Sequence, residues 1–256
     1  MGEAWLRGVA ADLAAATLFA TRIPLPHGTP IGGADIARAG WALPVVGALI
    51  GLLSASVYWI ACTLGLPPFC CAALAVAASL ISTGALHEDG LADTFDGFGG
   101  GDTRERKLEI MRDSRIGSYG ACALALSLLL RVGALASLSG PAQAAWALIA
   151  AHAGARAMMP LFLRLVPPAR RDGLAADAGR PPPASVAGAA LLGLVLLLLS
   201  LGGARSLAAF ALLIAAFGVM RWLTLRQIGG QTGDVSGALE QISEIAVLLA
   251  AAASRL

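Results

Sequence analysis

Seven apolar stretches, at about 41–64, 68–86, 117–138, 142–166, 184–203, 206–225 and 237–254, constrain this chain more than any other feature. Each approaches the roughly 20 residues that a helix needs to cross the hydrocarbon core of a bilayer. Backbone N–H and C=O groups in lipid must be satisfied within the segment, so runs of this length read as helices rather than as buried strands. With 57% hydrophobic and 13% charged residues over 256 positions, the chain has too little polar surface to cover itself in water. The expected architecture is an all-α integral membrane protein, a polytopic bundle of about seven transmembrane helices forming one domain over 1–256, with the lipid bilayer as its immediate partner. A further segment at 5–22 carries Asp12 and either spans or lies in the interface. It runs into a charged, Pro-containing stretch rather than a cleavage site, so it does not read as a cleavable signal. Cys62, Cys70, Cys71 and Cys122 fall in predicted spans without metal-ligand spacing and read as small core residues. The net charge of +2 says little by itself.

Threading the seven spans in order puts the connections 87–116, 167–183 and 226–236 on one side and 65–67, 139–141 and 204–205 on the other. The first set is long and charged. It and the adjoining span ends carry Arg104, Arg106, Lys107, Arg112, Arg115, Arg164, Arg170, Arg171, Arg180, Arg221 and Arg226, against Arg205 and Arg255 on the opposite face. By the positive-inside rule the charged face is cytoplasmic. Arg22 and Arg38 stay on that face if 5–22 also spans. Segment 87–116 holds eight of the sixteen acidic residues, and the last polar connection adds Asp234, so the acids converge on one cytoplasm-facing polar site.

Glu88, Asp89, Asp93 and Asp96 set four carboxylates within nine residues, directly after a span. Such a cluster repels itself and loses hydration near lipid unless a cation shares it, which makes it a candidate functional site. On a helix, Asp89, Asp93 and Asp96 fall at i, i+4 and i+7 and share one face, while Glu88 is turned about 100° away and is a weaker ligand. Oxygen ligands without cysteine suit Mg²⁺ or Mn²⁺ better than Zn²⁺. The competing reading is a solvated loop whose acids pair with the arginines downstream.

Residues 104–115 read as a short amphipathic helix with Leu108 and Met111 inward, after which Arg112, Asp113 and Arg115 stand nearest the re-entry into the membrane, placed to complete a metal and phosphate site. Gly229 to Ala238 is a glycine-rich turn opening a helix. Its N–H groups can cradle an anion beside Thr232, with Asp234 as a further metal ligand; the plainer alternative is a helix cap provided by Asp234 or Ser236. Glu240 and Glu244 follow in the first turns of the last span, where a bundle-interior position is expected. Arg156 lies one turn after His152 and is a candidate phosphate ligand, Arg131 pairs or snorkels, and Arg22 either clamps phosphate or anchors at the interface.

Gly84 to Gly97 followed by Lys107 to Gly117 resembles the cobalamin synthase family (adenosylcobinamide-GDP ribazoletransferase), and Phe19 to Pro24 and Gly229 to Asp234 are similar to that family's flanking motifs. The resemblance runs over most of the chain. It implies a late step of vitamin B12 biosynthesis at the bacterial cytoplasmic (inner) membrane, in which α-ribazole or its 5′-phosphate displaces GMP from adenosylcobinamide-GDP. Under that reading Asp89, Asp93, Asp96, Asp113 and Asp234 are metal ligands for Mg²⁺. Asp89, Asp93 or His87 serves as general base, the choice being open, and Glu88, Arg22, Arg112, Arg115, Arg156 and Thr232 are substrate contacts. The partners implied are the two substrates and no nucleic acid, with room for a homo-oligomer or for association with other cobalamin-assembly enzymes. Three alternatives are weighed against it, one of them a prenyl-diphosphate enzyme, which would also need aspartates and Mg²⁺ but whose usual soluble all-helical context is missing. A CDP-alcohol-type membrane phosphotransferase would carry an Asp-x-x-Asp-Gly…Ala-Arg pattern that is absent here, and a transporter would place its charges mid-span rather than at one face.

Overall fold

The computed structural model describes residues 2–25 and 31–254. Its helices are α1 (Gly2–Ala20), α2 (Gly33–Arg38), α3 (Leu43–Thr63), α4 (Pro68–Thr83), α5 (Leu86–Gly100), α6 (Arg104–Ile110), α7 (Ser118–Ala136), α8 (Pro141–Leu165), α9 (Leu174–Ala178), α10 (Pro183–Leu201), α11 (Gly203–Ile228) and α12 (Gly233–Ala252). A single 3₁₀ turn, Ala39–Ala42, fuses α2 to α3. Among the described residues the sole β pairing is a parallel bridge between Pro168 and Gln231. Six helices or fused helices are long and apolar enough to cross a membrane, or seven if α4 and α5 count as one bent span. The seven expected stretches are therefore all helical. The helix α1, which carries Asp12, is not among those long and apolar enough. Arg255 lies outside the described residues.

Local sequence explains the helix ends. Pro68, Pro141 and Pro183 open α4, α8 and α10, where a missing N–H costs nothing and the fixed φ is already helical. Glycines in the left-handed region close α4 at Gly84 and α11 at Gly229. The centre of the bundle is α8, which packs against α3, α10 and α12. Its small side chains, among them Ala144, Ala147, Ala150, Ala151 and Ala153, are fully buried and let neighbouring backbones approach, the usual route to tight helix packing in lipid. The outer faces carry exposed Ile81, Leu129, Leu199 and Leu207, as a lipid-facing surface requires. Cys71 is buried as expected and Cys62 partly so, but Cys70 and Cys122 are exposed on the outer surface, because the helical period turns those two away from the core.

The connection that matters most for the site is the junction of α4 and α5. Gly84 (φ 66°) and Ala85 (φ 55°) both adopt the left-handed conformation, and α5 leaves at 90° to α4. A helix at right angles to a spanning helix lies along the membrane face. For Ala85 this backbone costs about 1–2 kcal/mol, strain held immediately before the acidic cluster.

Candidate active site

The acidic stretch forms a separate surface helix, α5, which packs on α7 and α12. A β-carbon on Gly90 would lie 2.7 Å from the backbone oxygen of Asp234, so only glycine permits this crossing of α5 and α12. That approach carries Asp89 from one helix against Asp234 from the first turn of the other. Asp89 and Asp234 line one cavity of about 250 Å³, and Asp89 and Asp93 line a second, more open groove together with Arg22, Ser114 and Ile116. Asp89 belongs to both. The Asp93 carboxyl is pushed up to about 7, first by burial and then by the charges of Asp89, Asp234 and Asp96. These acids are thus close enough to repel one another and are not neutralised by the surrounding protein. Arg170 is the cation nearest them, with Nη2 3.5 Å from Asp234 Oδ2 and Nη1 without a partner.

Arg22 is brought in across the α4–α5 junction, its N–H donating to the Ser82 carbonyl at 2.7 Å and its side chain lying against Gly84. Thr232 caps α12 by accepting from the Val235 N–H, and its hydroxyl donates to Asp234 Oδ2 at 3.1 Å. The capping residue is therefore Thr232 rather than Asp234 or Ser236. Arg112 pairs with Asp172 at 2.5 Å, and Asp172 lines the 250 Å³ cavity.

The remaining expected site residues are engaged elsewhere. Both oxygens of Asp96 accept backbone hydrogens, from Gly117 at 2.7 Å and Gly120 at 2.8 Å, so Asp96 caps the start of α7 while staying near enough to raise Asp93. Asp113 and Arg115 pair with each other at 2.7 Å in an exposed loop, and that guanidinium holds the Asp113 carboxyl well below its usual range. The short helix expected over 104–115 ends at Ile110, with Leu108 and Met111 packed inward as expected. Glu88 and Arg156 belong to a closed ionic network inside the bundle. Arg131 Nη1 donates to Glu88 Oε1 at 3.0 Å and Glu244 Oε1 at 3.1 Å, and Arg156 Nη1 lies 2.6 Å from Glu240 Oε1. His152 Nδ1 is 3.0 Å from Glu244, and His87 Nδ1 is 3.4 Å from Glu240. All are nearly or fully buried. Glu240 and Glu244 thus occupy the interior position expected of them.

Sequence reasoning did not single out Arg170 or Asp172 as site residues. The one available signal was that 167–183 emerges on the same face as the acidic segments. What places the two residues is the parallel bridge, in which Ala169 N–H donates to Gln231 O at 2.8 Å and Gln231 N–H to Pro167 O at 2.7 Å, tying that loop to the glycine-rich turn.

Residues 12–252 match the family described as Cobalamin-5-phosphate synthase. The chain is 55% identical over 252 residues to the adenosylcobinamide-GDP ribazoletransferase of Bradyrhizobium diazoefficiens, covering 98% of this chain and 97% of the relative. It is 53% identical over 246 residues to the protein of the same name from Mesorhizobium japonicum, covering 96% and 94%, and 50% identical over 250 residues to that of Azorhizobium caulinodans, covering 94% and 95%. No solved structure matches. With its profile matched over nearly the whole length and relatives of this similarity, the chain belongs to the cobalamin-5-phosphate synthase family.

Proposed function

We propose that this protein transfers the adenosylcobinamide-phosphate group from adenosylcobinamide-GDP to α-ribazole or α-ribazole 5′-phosphate, releasing GMP and forming adenosylcobalamin or its 5′-phosphate. The relatives' shared name supports the reaction over their full length. The observation that carries the chemistry is the gathering of Asp89, Asp93 and Asp234 near enough for their charges to add to burial in raising Asp93.

That donor set consists of hard carboxylate oxygens with no thiolate, a ligand chemistry that suits Mg²⁺. When bound there, the ion supplies neutralisation of charge on the diphosphate. Asp89, Asp93 and Asp234 would hold it, with Thr232 fixing the orientation of Asp234 through its hydroxyl. In the transfer, an acceptor hydroxyl oxygen forms a bond to the phosphorus attached to cobinamide, and the bond from that phosphorus to the GMP oxygen breaks. Asp89 lines both cavities, so one of its carboxylate oxygens stands where the two substrates meet and takes the hydroxyl proton. Arg170, with a free guanidinium nitrogen, and Arg22 bind oxygens of the diphosphate. The network of Glu88, Arg131, Arg156 and Glu240 holds α5 against the bundle.

The site faces the cytoplasm of a bacterial inner membrane in this reading, a placement supported by the excess of arginine on the face that carries α5, α6 and the loop 167–173. The test is turnover by purified protein given adenosylcobinamide-GDP, α-ribazole and Mg²⁺. Stoichiometric GMP and adenosylcobalamin are expected, and folded protein that forms neither overturns the assignment.

A further inference from the structure

Beside the acids lies a cavity with a polar end and an apolar end. Phe19, Leu43, Met159 and Leu163 form apolar walls around about 250 Å³, and Asp89, Arg170, Asp172, Thr232 and Asp234 line its polar end. Three lining residues, each about 2% exposed, carry a buried polar atom with no partner: His87 Nε2, Gln231 Oε1 and Ser236 Oγ. A buried polar atom left unpaired is destabilising, so three on the lining of one cavity point to an occupant that supplies their hydrogen bonds. His87 Nδ1 lies 3.3 Å from the Arg156 guanidinium and 3.4 Å from the Glu240 carboxylate, so Nε2 is the ring nitrogen left for an occupant.

We propose that this cavity binds the benzimidazole riboside of the acceptor, an inference that rests on the reaction proposed above. A corrinoid is far too large for it. A lipid chain would suit the walls but leave all three polar atoms unsatisfied. Guanine would have several edge groups stripped of water against Phe19, Leu43 and Met159 with too few partners to replace it. α-Ribazole has a methylated, largely apolar ring system and a ribose whose hydroxyls both donate and accept, matching apolar walls that carry one imidazole nitrogen, one amide oxygen and one hydroxyl. Seated there, the ribose is directed toward Asp89, and the adenosylcobinamide diphosphate runs from Arg170 and Asp234 at the polar end into the groove lined by Arg22 and Asp93.

The test separates the two substrates. Leu163→Trp fills the cavity from a wall that lacks a polar role, and it should raise KM for α-ribazole by about 10-fold or more, with KM for adenosylcobinamide-GDP within about 2-fold of wild type. Ser236→Ala, the variant to use if the tryptophan disturbs folding, should raise KM for α-ribazole about 5-fold. In chelator-containing buffer, quenching of benzimidazole fluorescence should show saturable α-ribazole binding to wild-type protein that excess GMP does not displace and that Leu163→Trp weakens. Displacement by GMP, absence of binding, or KM changes confined to adenosylcobinamide-GDP would each overturn the assignment. The binding arm needs no turnover, so it decides the cavity's occupant even if the proposed reaction fails.

Discussion

Glu88 and Asp89 are adjacent on one helix and lead opposite lives. Glu88 lines the open groove but its carboxylate is bound by Arg131 at 3.0 Å, which also binds Glu244, while Asp89 lines both cavities and has repelling acids as neighbours. Inside the bundle, three carboxylates are matched by two guanidiniums and two imidazoles within hydrogen-bonding range. At the face, among the described residues, the one ion pair made by Asp89, Asp93 or Asp234 is that of Asp234 with Arg170, at 3.5 Å. The same residue type therefore serves two ends, and the deciding variable is whether the protein supplies the counter-charge itself. Where it does, the acids fasten α5 to α7 and α12; where it does not, they are free for an ion and a diphosphate.

The comparison breaks most severely if the internal cation is removed. Arg131→Met leaves Glu88 without a partner and facing Glu244, which keeps only His152, and should cost about 3–5 kcal/mol of stability, measured by unfolding in detergent. Restoration by also replacing Glu88 and Glu244 with apolar residues would confirm the cause; an unchanged Arg131→Met protein would show that the network is not holding the helices. Asp89→Asn should have the opposite profile, lowering GMP release by about 100- to 1,000-fold with the fold retained. Near-normal turnover would remove Asp89 from the site.

The sequence made one half of this contrast legible and hid the other. Hydropathy located the spans, because lipid imposes a length on any apolar helix, and the i, i+4 spacing of Asp89 and Asp93 put them on a common face. The right-angle turn at Gly84 and Ala85 was not legible, since alanine rarely adopts a left-handed backbone and only tertiary packing stabilises it there. Nor was the pairing of Glu88 with Arg131, whose separation of 43 residues carries no local signal. Asp96 shares the spacing of the other aspartates but caps α7, a role set by where Gly117 and Gly120 arrive in space.

A smaller effect sharpens the same contrast through pH. Asp93 titrates at about 7 in the folded protein against an ordinary 3.8. Between those values the unfolded chain has released a proton that the folded chain retains, so ion-free protein should lose stability as pH rises from about 4 to about 7 and level off above. Asp93→Asn should flatten that dependence, and Mg²⁺ should restore stability at pH 8; thermal melting in chelator against Mg²⁺ checks both. Smallest of all is the expected effect of Arg180→Glu, on the same face but exposed and outside both cavities. Its kinetic constants should stay within about 2-fold of wild type, as for a surface charge remote from substrate. A large loss there would mean the site extends further along that face.

The central claim is tested most directly by titrating Mn²⁺, as a spectroscopically visible stand-in for Mg²⁺, into the purified protein and counting bound ion by electron paramagnetic resonance. Wild type and Glu88→Gln should bind the ion, and Asp89→Asn combined with Asp93→Asn should not. Equal binding by that double variant, or binding lost on changing Glu88 alone, would contradict the division between acids neutralised by arginine and acids kept free for a metal.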